Sequence, residues 1–128
     1  MSEIEFRIPR NEWWSQNRRG GWRARYARTS AVKRRAYVTV RDWLNKGNRP
    51  PDGWPVHVTA TIHPLTHGRF DPENAAPMVK AILDACTQAG LWPDDDHTHI
   101  IGPDYRPGGP SPDGACYTIT ITIERNQQ

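Results

Sequence analysis

No stretch of this sequence stays apolar for the ~18 residues that a bilayer crossing requires, so a membrane-spanning helix is not expected. The opening segment, MSEIEFRIPR, is charged from its third residue and lacks the apolar core of a secretory leader. A cytoplasmic protein with no membrane partner is therefore the expectation. Cysteine is also scarce. Cys86 and Cys116 are the only two, one in a helical pattern and one in a strand pattern, which leaves no disulfide framework and no CxxC motif. Two small buried thiols are expected. The 128 residues are 36% hydrophobic and 24% charged, enough to bury one core and too few for two, so residues 1–128 are read as one domain.

Acids are sparse in the first part of the chain and bases in the second. Residues 1–50 hold 13 of the 17 Lys and Arg against 4 acids, a net +9, whereas residues 51–128 hold 4 bases against 10 acids, a net −6. Such a division suits a protein that grips phosphates with one surface and holds cations with another. Two ordinary solvated faces would give the same totals, so the residues themselves must decide.

Glu3 to Ile8 alternates polar and apolar and reads as a strand ended by Pro9. Asn11 to Arg28, dense in Arg and aromatics and broken by Gly20-Gly21, reads as a loop. Ser30 then caps a helix over Ala31 to Lys46, with Val32, Ala36, Val40 and Leu44 on one face beside Trp43. Val56 to Ile62 is a second alternating strand, and Pro64 to Arg69 a loop. A second helix is expected with Asn74 as N-cap, Ala75, Ala76 and Pro77 in its first turn, Gly90 just past its end, and Val79, Ile82, Leu83 and Cys86 facing inward. A short strand near His99 to Ile101 and a long one over Ala115 to Glu124 complete the set, separated by a Pro/Gly-rich loop. In the latter, Tyr117, Ile119, Ile121 and Ile123 face the core and the threonines face out. The order β-α-β-α-β-β implies an α+β fold, a mixed sheet of about four strands with two helices packed on it.

Asp71 and Glu73 stand two residues apart at the mouth of the second helix, and Lys80 lies two turns further along nearly the same face. Asp94, Asp95 and Asp96 follow that helix. Carboxylates crowded in this way repel one another unless a cation sits among them, and hard oxygen ligands suit Mg²⁺ or Mn²⁺. A divalent ion there supplies what phosphodiester hydrolysis needs, a nucleophilic hydroxide and stabilisation of the leaving oxygen. The plainer alternative makes Asp71 and Glu73 helix-start acids, Asp94 to Asp96 a solvated turn, and Lys80 an i,i+4 partner of Asp84. Zinc is disfavoured: His57, His63, His67, His97 and His99 form no tight pair with either cysteine.

Trp13, Trp14, Trp22 and Tyr26 are interleaved with Arg18, Arg19, Arg23, Arg25 and Arg28. Arginines contact phosphates, and aromatic faces stack on unpaired bases. One or two of the tryptophans are expected in the core. Four acids cannot neutralise the bases of residues 1–50, so much of that charge needs an outside partner.

The stretch FDPENAAPMVKAILDACTQAGLWPDDD, Phe70 to Asp96, resembles the core motif of the RusA family of Holliday junction resolvases, especially its actinobacterial and phage branch. The likeness takes in Gly102-Pro103-Asp104 and, more weakly, Ser15-Gln16-Asn17-Arg18 with the Arg-rich helix that follows. It implies a RusA-like endonuclease domain with metal-binding carboxylates at Asp71, Glu73 and Asp95, Lys80 as catalytic lysine, and Arg69 as the basic residue before the first acid. Asp94 and Asp96, one position to either side, are the alternatives to Asp95. Two departures stand out: Glu73 replaces the Asp of the best-known members, and Lys80 lies two residues further along. The implied activity is Mg²⁺-dependent cleavage of four-way junctions by paired nicks, with Arg18, Arg19, Arg23, Arg25, Lys33, Arg34 and Arg69 on the DNA. A nuclease for other branched or flapped DNA, or a non-catalytic DNA-binding module, are the alternatives. Paired cuts call for a homodimer. A straight helix from Asn74 to Gly90 would span about 24 Å, which the flanking segments barely bridge; a kink or late start near Pro77 would relieve this, and a partner subunit donating Asp95, the further expectation, would remove it.

Overall fold

Strict alternation in three segments determines which side of the sheet is covered. The computed structural model describes residues 1–126. In it, Ile4, Phe6 and Ile8 of β1 (Ser2–Pro9), Val56, Val58, Ala60 and Ile62 of β2 (Val56–His63), and Ile119, Ile121 and Ile123 of β4 (Cys116–Arg125) are all buried. Because side chains in a strand point to opposite faces in turn, these apolar residues line one face. Helices α1 (Trp22–Asn45) and α2 (Ala76–Gln88) cover it, α1 through Val32, Ala36 and Val40, and α2 through residues including Met78, Val79, Ile82 and Cys86. The sheet order is β1-β4-β2-β3, with β3 (Ile100–Pro107) parallel to β2 and the other pairings antiparallel. The α+β fold expected from the sequence is the one observed.

Three local expectations need correction. Helix α1 starts at Trp22, so the second half of the basic aromatic segment is helical where a loop was expected and Ser30 lies inside the helix. Its first two turns are solvent-exposed and carry no apolar period, yet Ala and Arg are good helix formers, and the helix propagates up to the extended N-cap Gly21. Strand β3 runs on to Pro107, well beyond Ile101. Its prolines look like loop residues, but β3 is an edge strand, where a missing N–H is tolerated. The register against β2 shifts between His57 and Thr59. There Gly102 has φ +109°, and a Cβ on it would meet the Val58 carbonyl oxygen at 2.5 Å, so only glycine fits.

The third correction concerns the entry to α2. Asp71, not Asn74, is the capping residue: its carboxylate accepts from the Glu73 N–H at 3.0 Å and starts a 3-10 turn over Pro72–Ala75 that leads into α2. At the far end Gly90, with φ +87°, occupies C′ as expected. Leu91 N–H donates to the Cys86 carbonyl and Gly90 N–H to that of Thr87, a Schellman arrangement that reverses the chain. Leu91 and Trp92 then pack back into the core.

One smaller reading also changes. Cys86 is buried, and burial pushes its thiol up to about 12, but Cys116 is only half-buried. Thr118 keeps the outward side of β4, opposite to Ile119, but is buried there, its hydroxyl 2.8 Å from that of Ser111. Among the described residues no helix is long and apolar enough to cross a membrane.

Candidate active site and nucleic-acid surface

The Schellman turn after α2 decides where the acids go. By sending the chain back along the helix, it places Asp95 in a depression of about 270 Å³ together with Lys80 and Asp84 of α2 and Tyr105 of β3. Asp71, the residue from which a straight helix was expected to hold the acidic turn apart, does not line this depression, so Asp95 joins Lys80 and not Asp71. The helix is shorter than expected, and Asp95 returns to the level of Lys80 within one chain. The three consecutive aspartates have different surroundings. Asp94 accepts from the Asp95 N–H at 2.7 Å. Asp96 accepts from the Thr98 hydroxyl and the His99 ring nitrogen at 2.7 and 2.6 Å, and these bonds hold its carboxyl below the usual range. Asp95 alone of the three lines the depression.

Asp71 and Glu73 are both exposed and do not line that depression. Glu73 is nonetheless connected to it electrostatically. Burial and then the negative charge of Glu73 raise Tyr105, which lines the depression, above its ordinary value. Lys80 Nζ lies 3.9 Å from Asp84 Oδ1, so the i,i+4 pairing is formed, with the lysine side chain largely in solvent. Among the described residues no three of His, Cys, Asp and Glu are grouped closely enough to enclose a metal ion by themselves. Asp84 and Asp95 offer hard oxygens on one depression. That donor set fits the way Mg²⁺ is commonly held, by one or two carboxylates with water and substrate phosphate completing the shell. It does not fit a site built from protein ligands alone.

The weaker Ser15 to Arg18 motif is brought against the central one. Gln16 N–H donates to the Asn74 carbonyl at 2.8 Å, and Asn17 Nδ2 donates to Asn74 Oδ1 at 3.1 Å. The Ser15 to Arg18 segment is thereby fastened to the turn that carries Asp71 and Glu73. Trp14 is buried and Trp13 stacks on Tyr117 with ring centroids 3.9 Å apart, so both are structural, as one or two were expected to be. Trp22 and Tyr26 remain exposed.

Of the basic residues singled out in the sequence, Arg25, Lys33 and Arg34 line a groove of about 800 Å³ between α1 and α2. Arg18 donates to the Trp13 carbonyl and lies 4.5 Å from the Trp14 ring centroid, which makes it a brace for the loop as well as a surface cation. Arg23 lies over Trp22, while Arg19 and Arg69 are exposed away from the groove. Within residues 1–50 only Arg7, Arg35 and Lys46 form ion pairs among the described residues, leaving Arg25, Lys33 and Arg34 without a carboxylate partner.

Sequence reasoning missed Asp84 and Tyr105 as neighbours of Asp95. Asp84 was visible only as a helical partner of Lys80, and Tyr105 lay in a stretch whose prolines masked a strand. Lys80 and Asp84 line both the basic groove and the Asp95 depression, so they form the ridge between the two. No protein-family model matches the chain, and no characterised protein matches it.

Proposed function

We propose that the protein is a Mg²⁺-dependent, structure-specific endodeoxyribonuclease that acts on branched DNA, with the Holliday junction as its substrate and paired nicks as its product. The observation that carries this reading is the Lys80 and Asp84 ridge, one side facing cations without carboxylate partners and the other facing Asp95. A phosphodiester backbone lying along Arg25, Lys33 and Arg34 is delivered across Lys80 to a carboxylate that can share a divalent ion with it. Asp95 and Asp84 would hold that ion with the phosphate, while Asp71 and Glu73 add negative charge from the neighbouring turn. When bound, the ion supplies an activated water and stabilises the leaving oxygen. Lys80 would screen the added charge of the phosphate. Mn²⁺ is expected to substitute. The cytoplasm is the proposed compartment and a homodimer the proposed working form, since two symmetric cuts call for two related sites.

A second reading, a non-catalytic DNA-binding module, is favoured by one observation: no three-ligand group surrounds a metal position among the described residues. Labelled four-way, flap and linear duplex DNA incubated with the protein, with and without Mg²⁺, separates the readings. The nuclease reading expects Mg²⁺-dependent nicks near the branch and an intact linear duplex. Preferential cutting of flaps would move the substrate to other branched DNA. Tight binding with no cleavage under either condition would establish the binding module.

A further inference from the structure

We infer that the groove between α1 and α2 holds unpaired nucleotides, with Tyr26 and Tyr37 as stacking platforms for bases and Lys33 between them for the linking phosphates. The inference rests on the reading of α1 as a nucleic-acid surface and adds which part of the substrate lies there. Tyr26, Lys33 and Tyr37 fall within about 40° of one line on a helix that turns ~100° per residue, and the two tyrosines are about 16 Å apart along it. They are 67% and 41% exposed although they are large aromatics, and both line the groove. Aromatic side chains left open beside cations are what single-stranded nucleic acid uses: the phosphates take the charge, and each base has a face to stack. A duplex keeps its base faces internal and offers phosphates and groove edges, which leave both phenol rings without a use.

Charge also separates this occupant from a second copy of the chain. The groove lining carries Arg25, Lys33, Arg34 and Lys80 against a single acid, Asp84. Two such surfaces face to face would bring two sets of cations together in a partly apolar contact, whereas a polyanion neutralises one set. The groove ends at the Lys80 and Asp84 ridge, beyond which lies Asp95. An unpaired strand held there is aimed at the proposed site of cutting, which gives the enzyme a physical basis for preferring branches, where pairing is interrupted.

The test uses the full chain in EDTA, so that nothing is cut, and compares a labelled oligothymidine with a duplex of equal length by fluorescence anisotropy at fixed salt. Wild type should bind the oligothymidine more tightly than the duplex. The double variant Y26A/Y37A should lose at least about 30-fold for the oligothymidine, two stacked bases' worth, with duplex affinity unchanged, and Y26W/Y37W should retain it. Independently of any variant, photo-crosslinks from bromodeoxyuridine-substituted oligonucleotide to the wild-type protein should map to Tyr26 or Tyr37. Equal affinity for both nucleic acids, an unaffected alanine variant, or crosslinks elsewhere would overturn the inference alone. Sedimentation showing that Y26A/Y37A converts a dimer to a monomer would assign the groove to a second copy instead. Failure to bind either nucleic acid would overturn the nucleic-acid reading of α1 as well. Binding as expected without Mg²⁺-dependent cleavage would remove only the nuclease.

Discussion

Asp95→Asn should lower the rate of junction cleavage by about 1000-fold or more while leaving junction affinity within roughly threefold of wild type. The size follows from the proposed role of the carboxylate: it would help hold a divalent ion, and such an ion supplies several kcal/mol of barrier lowering at ~1.4 kcal/mol per decade of rate. Asparagine keeps the shape and one oxygen but loses the charge. Affinity should survive because the proposed DNA contacts are cations on α1, across the ridge from Asp95. The neighbouring aspartates provide the control. Asp94 accepts a hydrogen bond from the Asp95 N–H, which the carbonyl of an Asn can also accept, so Asp94→Asn should leave the rate close to wild type. Single-turnover cleavage of a labelled junction, with anisotropy for binding, checks both. Wild-type rates in Asp95→Asn would remove Asp95 from the chemistry.

Replacing Arg25, Lys33 and Arg34 together by Ala should flatten the dependence of log affinity on log salt by about 2.1, since each phosphate of an unpaired strand that is neutralised contributes ~0.7. Junction binding at low salt should weaken correspondingly, and the difference between variant and wild type should shrink as salt rises. All three line the groove, and none has a carboxylate partner among the described residues, so removing them breaks no ion pair within the fold. Arg18 is a poorer probe although it is equally basic. Its hydrogen bond to the Trp13 carbonyl and its place over Trp14 mean that Arg18→Ala would disturb the loop that fastens to Asn74. Affinity measured across a salt series gives the slopes directly, and an unchanged slope would assign the three cations to solvent.

Sequence patterning carried the sheet better than the site. The alternation of Val56 to Ile62 and of Tyr117 to Ile123 sets a buried face whatever the neighbouring strands are, and every apolar member from Val56 to Ile62 and from Ile119 to Ile123 is buried. The inner face of α2 was equally legible, because Val79, Ile82, Leu83 and Cys86 recur at helical spacing. Sheet order was not, since pairing partners depend on contacts distant in sequence. The start of α1 was hidden because its exposed turns have no apolar residue to mark the period, and β3 was hidden because Pro103 and Pro107 signal a loop unless the strand is known to lie at an edge. Within the site, the acidic positions and Lys80 could be seen in the sequence. Their arrangement could not, because it depends on how Gly90 reverses the chain: that reversal sets Asp95 beside Asp84 and Tyr105 and leaves Asp71 capping its own turn.

In the proposed site Asp95 and Asp84 would hold a divalent ion that acts on the phosphate being cut. Replacing a non-bridging oxygen of the scissile phosphate by sulfur tests this most directly, because Mg²⁺ prefers hard oxygen while Mn²⁺ accepts softer ligands. Cleavage of the sulfur-substituted junction should be strongly suppressed in Mg²⁺ for one of the two phosphorus stereoisomers and recover in Mn²⁺, whereas the all-oxygen junction should be cut with either ion. Equal cleavage of both stereoisomers and the all-oxygen substrate in Mg²⁺ alone would contradict the account.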